Sequence, residues 1–108
     1  MNYFGLSSSN INNINSVFKQ YSEINEVIIF GSRAKGNHRD NSDIDLAIKG
    51  NNINLSVLQQ IEIKLEELYI PVSIDLVVYN KIENTDLINH INRVGKQFYI
   101  KEKEFPFM

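Results

Sequence analysis

Two alternating stretches separated by a helical stretch constrain the fold of this chain more than any other feature. Residues 43–49 alternate between aliphatic and mostly polar side chains, and residues 72–79 repeat the alternation, as half-buried strands do. Between them, leucine and isoleucine recur at three- and four-residue spacing over residues 55–68, which predicts an amphipathic helix. Because a helical crossover joins parallel neighbours, these segments predict two adjacent parallel strands that start at the same edge of a sheet.

The remaining segments add helices and strands around this unit. A helix capped by Ser8 or Ser9 is predicted first, and the apolar run 27–30 predicts a buried strand. A last helix is predicted to end at Gly95, and residues 98–100 are a candidate for a short edge strand. This order predicts an α+β fold, with a mixed sheet of three strands, or four if the edge strand forms, and flanking helices.

Length and composition restrict the class of protein. At 108 residues and 43% apolar content, the chain predicts a single compact domain over residues 1–108. The formal charge of −2 argues against direct nucleic-acid binding through broad neutralisation of phosphates, but it allows a bound nucleotide. The sequence has no cysteine, no signal peptide and no apolar run near the roughly 18 residues of a membrane span, so a cytoplasmic protein is expected. Residues 104–108 are expected to form a frayed end.

Polar residues from three strands are expected to meet at one edge of the sheet. Gly31 and Ser32 end the first predicted strand, Asp43 and Asp45 open the second, and Asp75 lies near the start of the third. Because a short connection favours an antiparallel pair, the end of the first strand lies beside the beginning of the second. The parallel crossover then brings Asp75 level with Asp45, about 4.8 Å across the sheet.

These aspartates predict a divalent metal site. Three carboxylates on one patch repel each other and resist ionisation unless a cation lies among them. Mg²⁺ suits them, because it takes one or two carboxylates together with waters and substrate phosphate oxygens, and two such ions clamp the attacking and leaving oxygens of a displacement at phosphorus. In this interpretation Asp43 and Asp45 hold the metal on a triphosphate. Asp75 shares a second metal and helps to deprotonate an acceptor hydroxyl.

The turn that opens at Gly31 is the expected phosphate site. Ser32 and the amides of the turn would bind the terminal phosphates as a helix N-terminus binds anions. Arg33, Lys35 and Arg39 form the local basic cluster, and its two arginines are further candidate nucleotide ligands. Solvated loop charges explain the same three side chains about equally well.

Plainer interpretations of the other residues stay open. Residues 42–45 fit the S/T-x-x-D/E pattern of a helix start, although the alternation that follows argues against a helix. Asp75 taken alone is interpreted as a polar residue facing water. It becomes a candidate site residue only because the strand order brings it to the same edge as Asp43 and Asp45. A P-loop is excluded, because Asn37 and His38 stand where that motif needs lysine and serine or threonine. His38 and His90 have no metal-ligand spacing and are expected at the surface or at helix ends.

The stretch Gly31-Ser32, ten further residues and then Asp43-Ile44-Asp45 resembles the active-site motif of the DNA polymerase beta-like nucleotidyltransferase superfamily, in its minimal, stand-alone branch. Asp75 resembles the third carboxylate of that family, and residues 87–100 are similar to its C-terminal segment. The resemblance covers nearly the whole chain after the first helix, and every motif position is filled.

The resemblance implies a nucleotidyltransferase fold, Mg²⁺-dependent use of a nucleoside triphosphate and often a partner protein of the HEPN family. In such pairs the HEPN protein resembles a toxin, commonly an RNase, and the nucleotidyltransferase is the antitoxin that adenylylates it. Relatives that modify aminoglycosides or nucleic-acid ends usually carry an additional substrate-binding domain, and this chain has no residues left to build one. The implied reaction is therefore transfer of AMP from ATP to a tyrosine, serine or threonine hydroxyl of a partner protein.

A second class of function stays open beside the enzyme. The domain could neutralise its partner by covering it, with any nucleotide serving only a structural purpose. The three aspartates favour the enzyme, because occlusion needs no metal site. Assembly with itself or with a partner is compatible with both functions.

Overall fold

The computed structural model describes residues 2–102, so the frayed end expected at residues 104–108 lies outside the described residues. The elements are, in chain order, β1 (Asn2–Tyr3), β2 (Leu6–Ser7), α1 (Ser8–Phe18), β3 (Ile24–Phe30), α2 (Gly31–Lys35), β4 (Ile44–Gly50), α3 (Leu55–Glu66), β5 (Ile74–Val78), a 3-10 turn (Tyr79–Lys81), α4 (Thr85–Val94) and β6 (Lys96–Ile100). None of the helices within residues 2–102 is long and apolar enough to cross a membrane.

The main sheet has the strand order β5-β4-β3-β6. β3 is antiparallel to both β4 and β6, whereas β4 is parallel to β5 through the crossover helix α3. The α+β fold with a mixed sheet is therefore confirmed. The edge strand that the sequence left open is also present, as β6, and it starts two residues earlier than expected.

Helices cover both faces of this sheet. α1 and α3 pack on one face against fully buried aliphatic side chains of the two central strands, namely Ile24, Val27, Ile29, Ile44, Leu46 and Ile48. α4 covers the other face, where Ile91 packs with Ala47 and Phe30. The alternation along β4 therefore separates the two cores, and it places Asp45 on the α4 face together with Ala47.

The N-terminal region differs from the sequence expectation. β1 and β2 form a small antiparallel hairpin that was not predicted, turning through Phe4 and Gly5 at φ of 59° and 73°. Strands of two residues show no periodicity, so nothing in the pattern could reveal them. The cap of α1 is Ser7 rather than either of the next two serines, and its hydroxyl accepts a hydrogen bond from the amide of Asn10 at 3.1 Å.

Candidate active site

Asp45 and Asp75 lie side by side at one end of the strands of the main sheet, next to Asp43, and these three residues are called the row. Phe30 pairs with Asp45 across the antiparallel strands β3 and β4, and Asp45 pairs with Asp75 across the parallel strands β4 and β5. Gly31 follows Phe30 directly and opens α2 at the same edge. The expected register, with Asp75 level with Asp45, is confirmed. Because β4 is a strand, the alternative that residues 42–45 start a helix is wrong.

Gly31 allows β3 to turn sharply into α2. Its φ of +73° lies in the left-handed region that favours glycine. A Cβ at this position would run into the carboxylate oxygen Oδ2 of Asp45. The Asp45 carboxylate therefore lies directly against the backbone of the bend, and a side chain at position 31 would remove that contact.

Negative charge is concentrated around Asp45. Burial raises the pKa of the Asp45 carboxyl above its ordinary value, and the charges of Asp75 and Asp43 raise it further. The charge of His90 acts in the opposite direction and lowers this pKa. The charges of Asp43 and Asp75 thus act on Asp45, and a group of carboxylates this close is a donor set that fits a divalent cation.

The acidic side chains differ in exposure. Asp43 and Asp75 are exposed, whereas Asp45 is half-buried. Within residues 2–102, no three His, Cys, Asp or Glu side chains already lie close enough together to hold a metal ion. Mg²⁺ does not need such a cage, since one or two carboxylates suffice when waters and substrate phosphates complete the coordination. The residues present therefore fit a metal ion that a phosphate-bearing substrate helps to bind.

Arg33 holds the loop that leads to Asp43. Its side chain is only 2% exposed, and its Nε and Nη2 atoms donate to the backbone oxygen of Ser42 at 3.1 and 2.9 Å. Nη2 also donates to the carbonyl of Asp40 at 3.2 Å, and Nη1 donates to the carbonyl of Phe4 at 2.9 Å. These bonds tie the N-terminal hairpin, α2 and the loop before β4 together. The geometry favours this structural role for Arg33 over the nucleotide-binding role expected from the sequence.

The other residues of the expected phosphate site lie in α2 and in the loop that follows it. Ser32 is half-buried in the first turn of α2, and Lys35 and Arg39 are exposed. The amide of Arg39 donates to the hydroxyl of Ser42 at 2.9 Å, which fixes the loop just before the aspartates. Nucleotide binding by Ser32 and Arg39 stays a prediction.

His90 on α4 belongs to this site, although sequence reasoning left it at the surface or at a helix end. Its ring meets the ring of Phe30 edge-on, with centroids 6.1 Å apart, and its charge acts on Asp45. The spacing of residues along the last helix could have indicated that His90 faces the sheet. His90 lies three residues after Leu87 and four before Val94, and both of these pack on the α4 face of the sheet.

The arrangement suits chemistry at a phosphate group. The bend with Ser32 adjoins the carboxylates, so phosphates bound beside them would meet hydrogen-bond donors from the bend and metal ligands from the aspartates. Asp75 lies farthest from the bend along the row, two strands away from Gly31. A carboxylate in that position is available to accept a proton from an attacking hydroxyl.

Comparison with known proteins gives both a family and a fold. The family model described as Polymerase beta, Nucleotidyltransferase matches residues 12–104. No curated protein sequence gives a significant match. The chain is similar to a chain in the crystal structure of a toxin-antitoxin with AMP-PNP, at 24% identity and a TM-score of 0.70, with 86% of this chain and 75% of that chain covered.

Two further solved structures show the same likeness. The toxin-antitoxin MntA-HepT matches at 22% identity and a TM-score of 0.66, over 88% of this chain and 74% of that one. The tri-AMPylated Shewanella oneidensis HEPN toxin in complex with MNT antitoxin matches at 21% identity and a TM-score of 0.64, over 86% and 71%. At these identities the structural matches show a shared fold. The family model spans the bend and all three aspartates, and the chain therefore belongs to the Polymerase beta nucleotidyltransferase family.

Proposed function

We propose that this chain transfers AMP from ATP to a hydroxyl of a partner protein, as the antitoxin that neutralises a HEPN-type toxin. The observation that carries the proposal is the pairing of Asp45 with Asp75, beside Asp43 and opposite the bend at Gly31 and Ser32. The matched structures support the choice of nucleotide and acceptor. They include a toxin-antitoxin with AMP-PNP and a complex whose HEPN toxin is tri-AMPylated.

The acidic residues take distinct parts in the proposed reaction. The partner's hydroxyl oxygen attacks the α-phosphorus of ATP, the bond from that phosphorus to the bridging oxygen breaks, and pyrophosphate leaves with the electron pair. Asp75 accepts the proton of the hydroxyl. Asp43 and Asp45 would hold Mg²⁺ against the triphosphate, with Asp75 sharing a second ion. When bound, these ions supply positive charge to the attacking and leaving oxygens.

Residues of the bend and the following loop hold the nucleotide in this proposal. Ser32 and the backbone at Gly31 bind the terminal phosphates, and Arg39 supplies a positive charge from the exposed loop. Arg33 acts indirectly, because its hydrogen bonds to the loop fix the approach to Asp43.

Labelled nucleotide tests the proposal directly. The protein is incubated with a HEPN-type partner, Mg²⁺ and ATP labelled at the α-phosphate, and label is expected on the partner. ATP labelled at the γ-phosphate should leave the partner unlabelled, because the reaction transfers AMP and releases pyrophosphate. Asp43→Asn and Asp75→Asn should each lower the labelling by more than about 100-fold. Changing a residue that only hydrogen-bonds to a metal ligand already lowers activity about 10–100-fold, and these changes remove a ligand itself.

Asp40→Asn is the matched control for these variants. Asp40 is an exposed aspartate of the same loop and lies outside the row, so this variant should label the partner like the wild type. Absence of label with the wild-type protein, or labelling that survives both active-site changes, would contradict the proposal. Neutralisation of the toxin that survives Asp43→Asn and Asp75→Asn would favour occlusion instead.

Thermal unfolding gives an independent measurement of nucleotide binding. Mg²⁺ and ATP together should raise the melting temperature. The positive metal ion offsets the repulsion between the ATP phosphates and the aspartates, and the phosphates complete the coordination of the metal ion. A ligand at about 100 times its Kd adds about 2.7 kcal/mol to the free energy of unfolding. Either component alone should give little shift.

A further inference from the structure

We propose that a groove beside Asp75 binds the partner segment that carries the acceptor hydroxyl, and that this segment is positively charged. The inference rests on the proposed function and deepens it by naming the chemistry of the acceptor segment. The groove has a volume of about 570 Å³ and lies between the C-terminal half of α3, the loop that follows it and the start of β5. This volume is within the range of pockets that bind ligands and is large enough for a few side chains.

The groove is continuous with the row of aspartates. Asp75 lines the groove and also pairs with Asp45 in the sheet. The other described lining residues come from α3, from the loop and from β5, and none comes from the bend, from α2 or from β4. A nucleotide held at the bend and a segment lying in the groove would therefore approach Asp75 from different sides, as a donor and an acceptor must.

Charge favours a basic occupant. Glu62 and Glu66 lie one helical turn apart on α3 and line the groove, and Asp75 borders it from the start of β5. The described lining residues include no lysine or arginine. The one lysine of α3, Lys64, points away to the turn after α1, where its ammonium donates to the side-chain oxygen of Gln20 at 2.6 Å. This uncompensated negative charge would attract lysine or arginine side chains and disfavour acidic ones.

Shape and backbone favour an extended peptide over a free cation. The mouth of the groove carries apolar surface, with Tyr69 87% exposed and Pro71 and Val72 beside it in the loop. Among the described strands, β5 has a neighbour on one side only, so alternate backbone groups on its outer side are available to an added strand. A peptide with a basic side chain beside the acceptor residue would use the charge, the apolar surface and the strand edge together.

Synthetic peptides test the groove without any nucleotide. The probe is a short fluorescent peptide with one central tyrosine flanked by lysines and alanines, and its twin has glutamate in place of each lysine. Binding is measured by fluorescence anisotropy at about 0.15 M salt, where the screening length of about 8 Å suppresses distant charges. The lysine peptide should bind and the glutamate twin should not.

Two neighbouring glutamates provide matched variants. Glu66→Lys reverses a charge that lines the groove and should weaken binding of the lysine peptide roughly five- to tenfold. Glu67→Lys makes the same change one residue further along, outside the groove lining, and should alter binding by less than about twofold. Circular dichroism on both variants checks that the fold is retained.

Three outcomes would overturn the groove proposal: equal binding of the two peptides, equal weakening by Glu66→Lys and Glu67→Lys, or competition by spermine as strong as that of the lysine peptide. The last would identify a simple cation site. Failure of the proposed function would appear separately, as a missing label on the partner and a missing melting shift with Mg²⁺ and ATP. The two failures are distinguishable because the peptide experiment contains no nucleotide.

Discussion

The carboxylate of Asp45 occupies the space that a Cβ at Gly31 would need, so the bend after β3 and the central aspartate of β4 depend on each other. Gly31 also has a φ of +73°, which a residue with a side chain adopts only at a cost. Position 31 therefore needs glycine for two reasons, the left-handed backbone and the close contact with Asp45. It lies between the expected phosphate site and the expected metal ligands.

Gly31→Ala is expected to lower both stability and transfer activity. The left-handed backbone costs alanine about 1–2 kcal/mol, and the displaced Asp45 carboxylate adds to this loss. Because Asp45 would move away from its place in the row, labelling of the partner should fall more than about 100-fold, as expected for loss of a metal ligand. Urea unfolding measures the first effect and transfer of α-labelled nucleotide the second.

Gly36→Ala separates the two requirements. Gly36 has a φ of +83°, but a Cβ there would meet nothing within 4 Å. This variant should therefore lose only the backbone contribution and keep its activity. Equal losses of activity in the two variants would show that the contact between Gly31 and Asp45 is unimportant.

Arg33→Lys is expected to destabilise the protein by about 2–4 kcal/mol, because lysine cannot reproduce a planar fork and each buried carbonyl left unpaired costs roughly 1–3 kcal/mol. The carbonyls concerned belong to Phe4, Asp40 and Ser42. Transfer should also slow, since the loop before Asp43 loses its support. Urea unfolding and steady-state kinetics measure both effects.

Arg39→Lys is the surface control, because the Arg39 side chain is exposed and the bond that fixes the loop uses its backbone amide. Its stability should change by less than about 0.5 kcal/mol. The opposite result for Arg33→Lys, an unchanged stability with a raised KM for ATP, would restore Arg33 as a nucleotide ligand.

The row of aspartates could be predicted because connectivity alone determines it. An apolar run identified β3 and alternation identified β4 and β5. A short connection then favoured an antiparallel pair of β3 and β4, and a helical crossover favoured a parallel pair of β4 and β5. With those relations, Asp45 and Asp75 must begin their strands at the same edge as the end of β3. No side-chain contact had to be known.

The part played by Arg33 could not be predicted from the sequence. Its hydrogen bonds end on backbone carbonyls, and every residue has a carbonyl whatever its side chain. One of those carbonyls lies in the N-terminal hairpin, whose two-residue strands leave no periodic pattern. An arginine two residues after the glycine of the bend therefore resembled a phosphate ligand in the sequence, although its guanidinium is buried.

The raised pKa of Asp45 predicts a particular dependence of stability on pH. Between the pKa of this carboxyl in the unfolded chain, about 3.9, and its higher value in the folded protein, the folded state holds more protons. The free energy of unfolding contributed by Asp45 therefore falls as pH rises through that window and levels off above it. Asp45→Asn should accordingly be more stable than the wild type at about pH 7 without metal or nucleotide.

Urea unfolding over a series of pH values measures this difference. The advantage of Asp45→Asn should disappear when Mg²⁺ and ATP are added, because only the wild type gains binding energy from them. Asp40→Asn, an exposed change outside the row, should follow the wild-type profile. A variant at Asp45 that is less stable than the wild type at every pH would show that its carboxylate makes a net favourable contact instead.

His90→Gln is expected to move the acid limb of the transfer reaction to higher pH. The charge of His90 lowers the pKa of Asp45, whereas burial, Asp75 and Asp43 all raise it. Glutamine keeps a polar side chain without the positive charge, so Asp45 would ionise at a higher pH and the proposed metal would bind later in the titration. The profile of kcat/KM from about pH 5 to 8 measures the shift.

The second histidine supplies the control. His38 and the Arg33 guanidinium both lie against Gly5, and the charges that act on Asp45 do not include that of His38. His38→Gln should therefore change stability through the N-terminal hairpin and leave the acid limb in place. If both variants shifted the limb equally, the specific electrostatic effect of His90 on Asp45 would be contradicted.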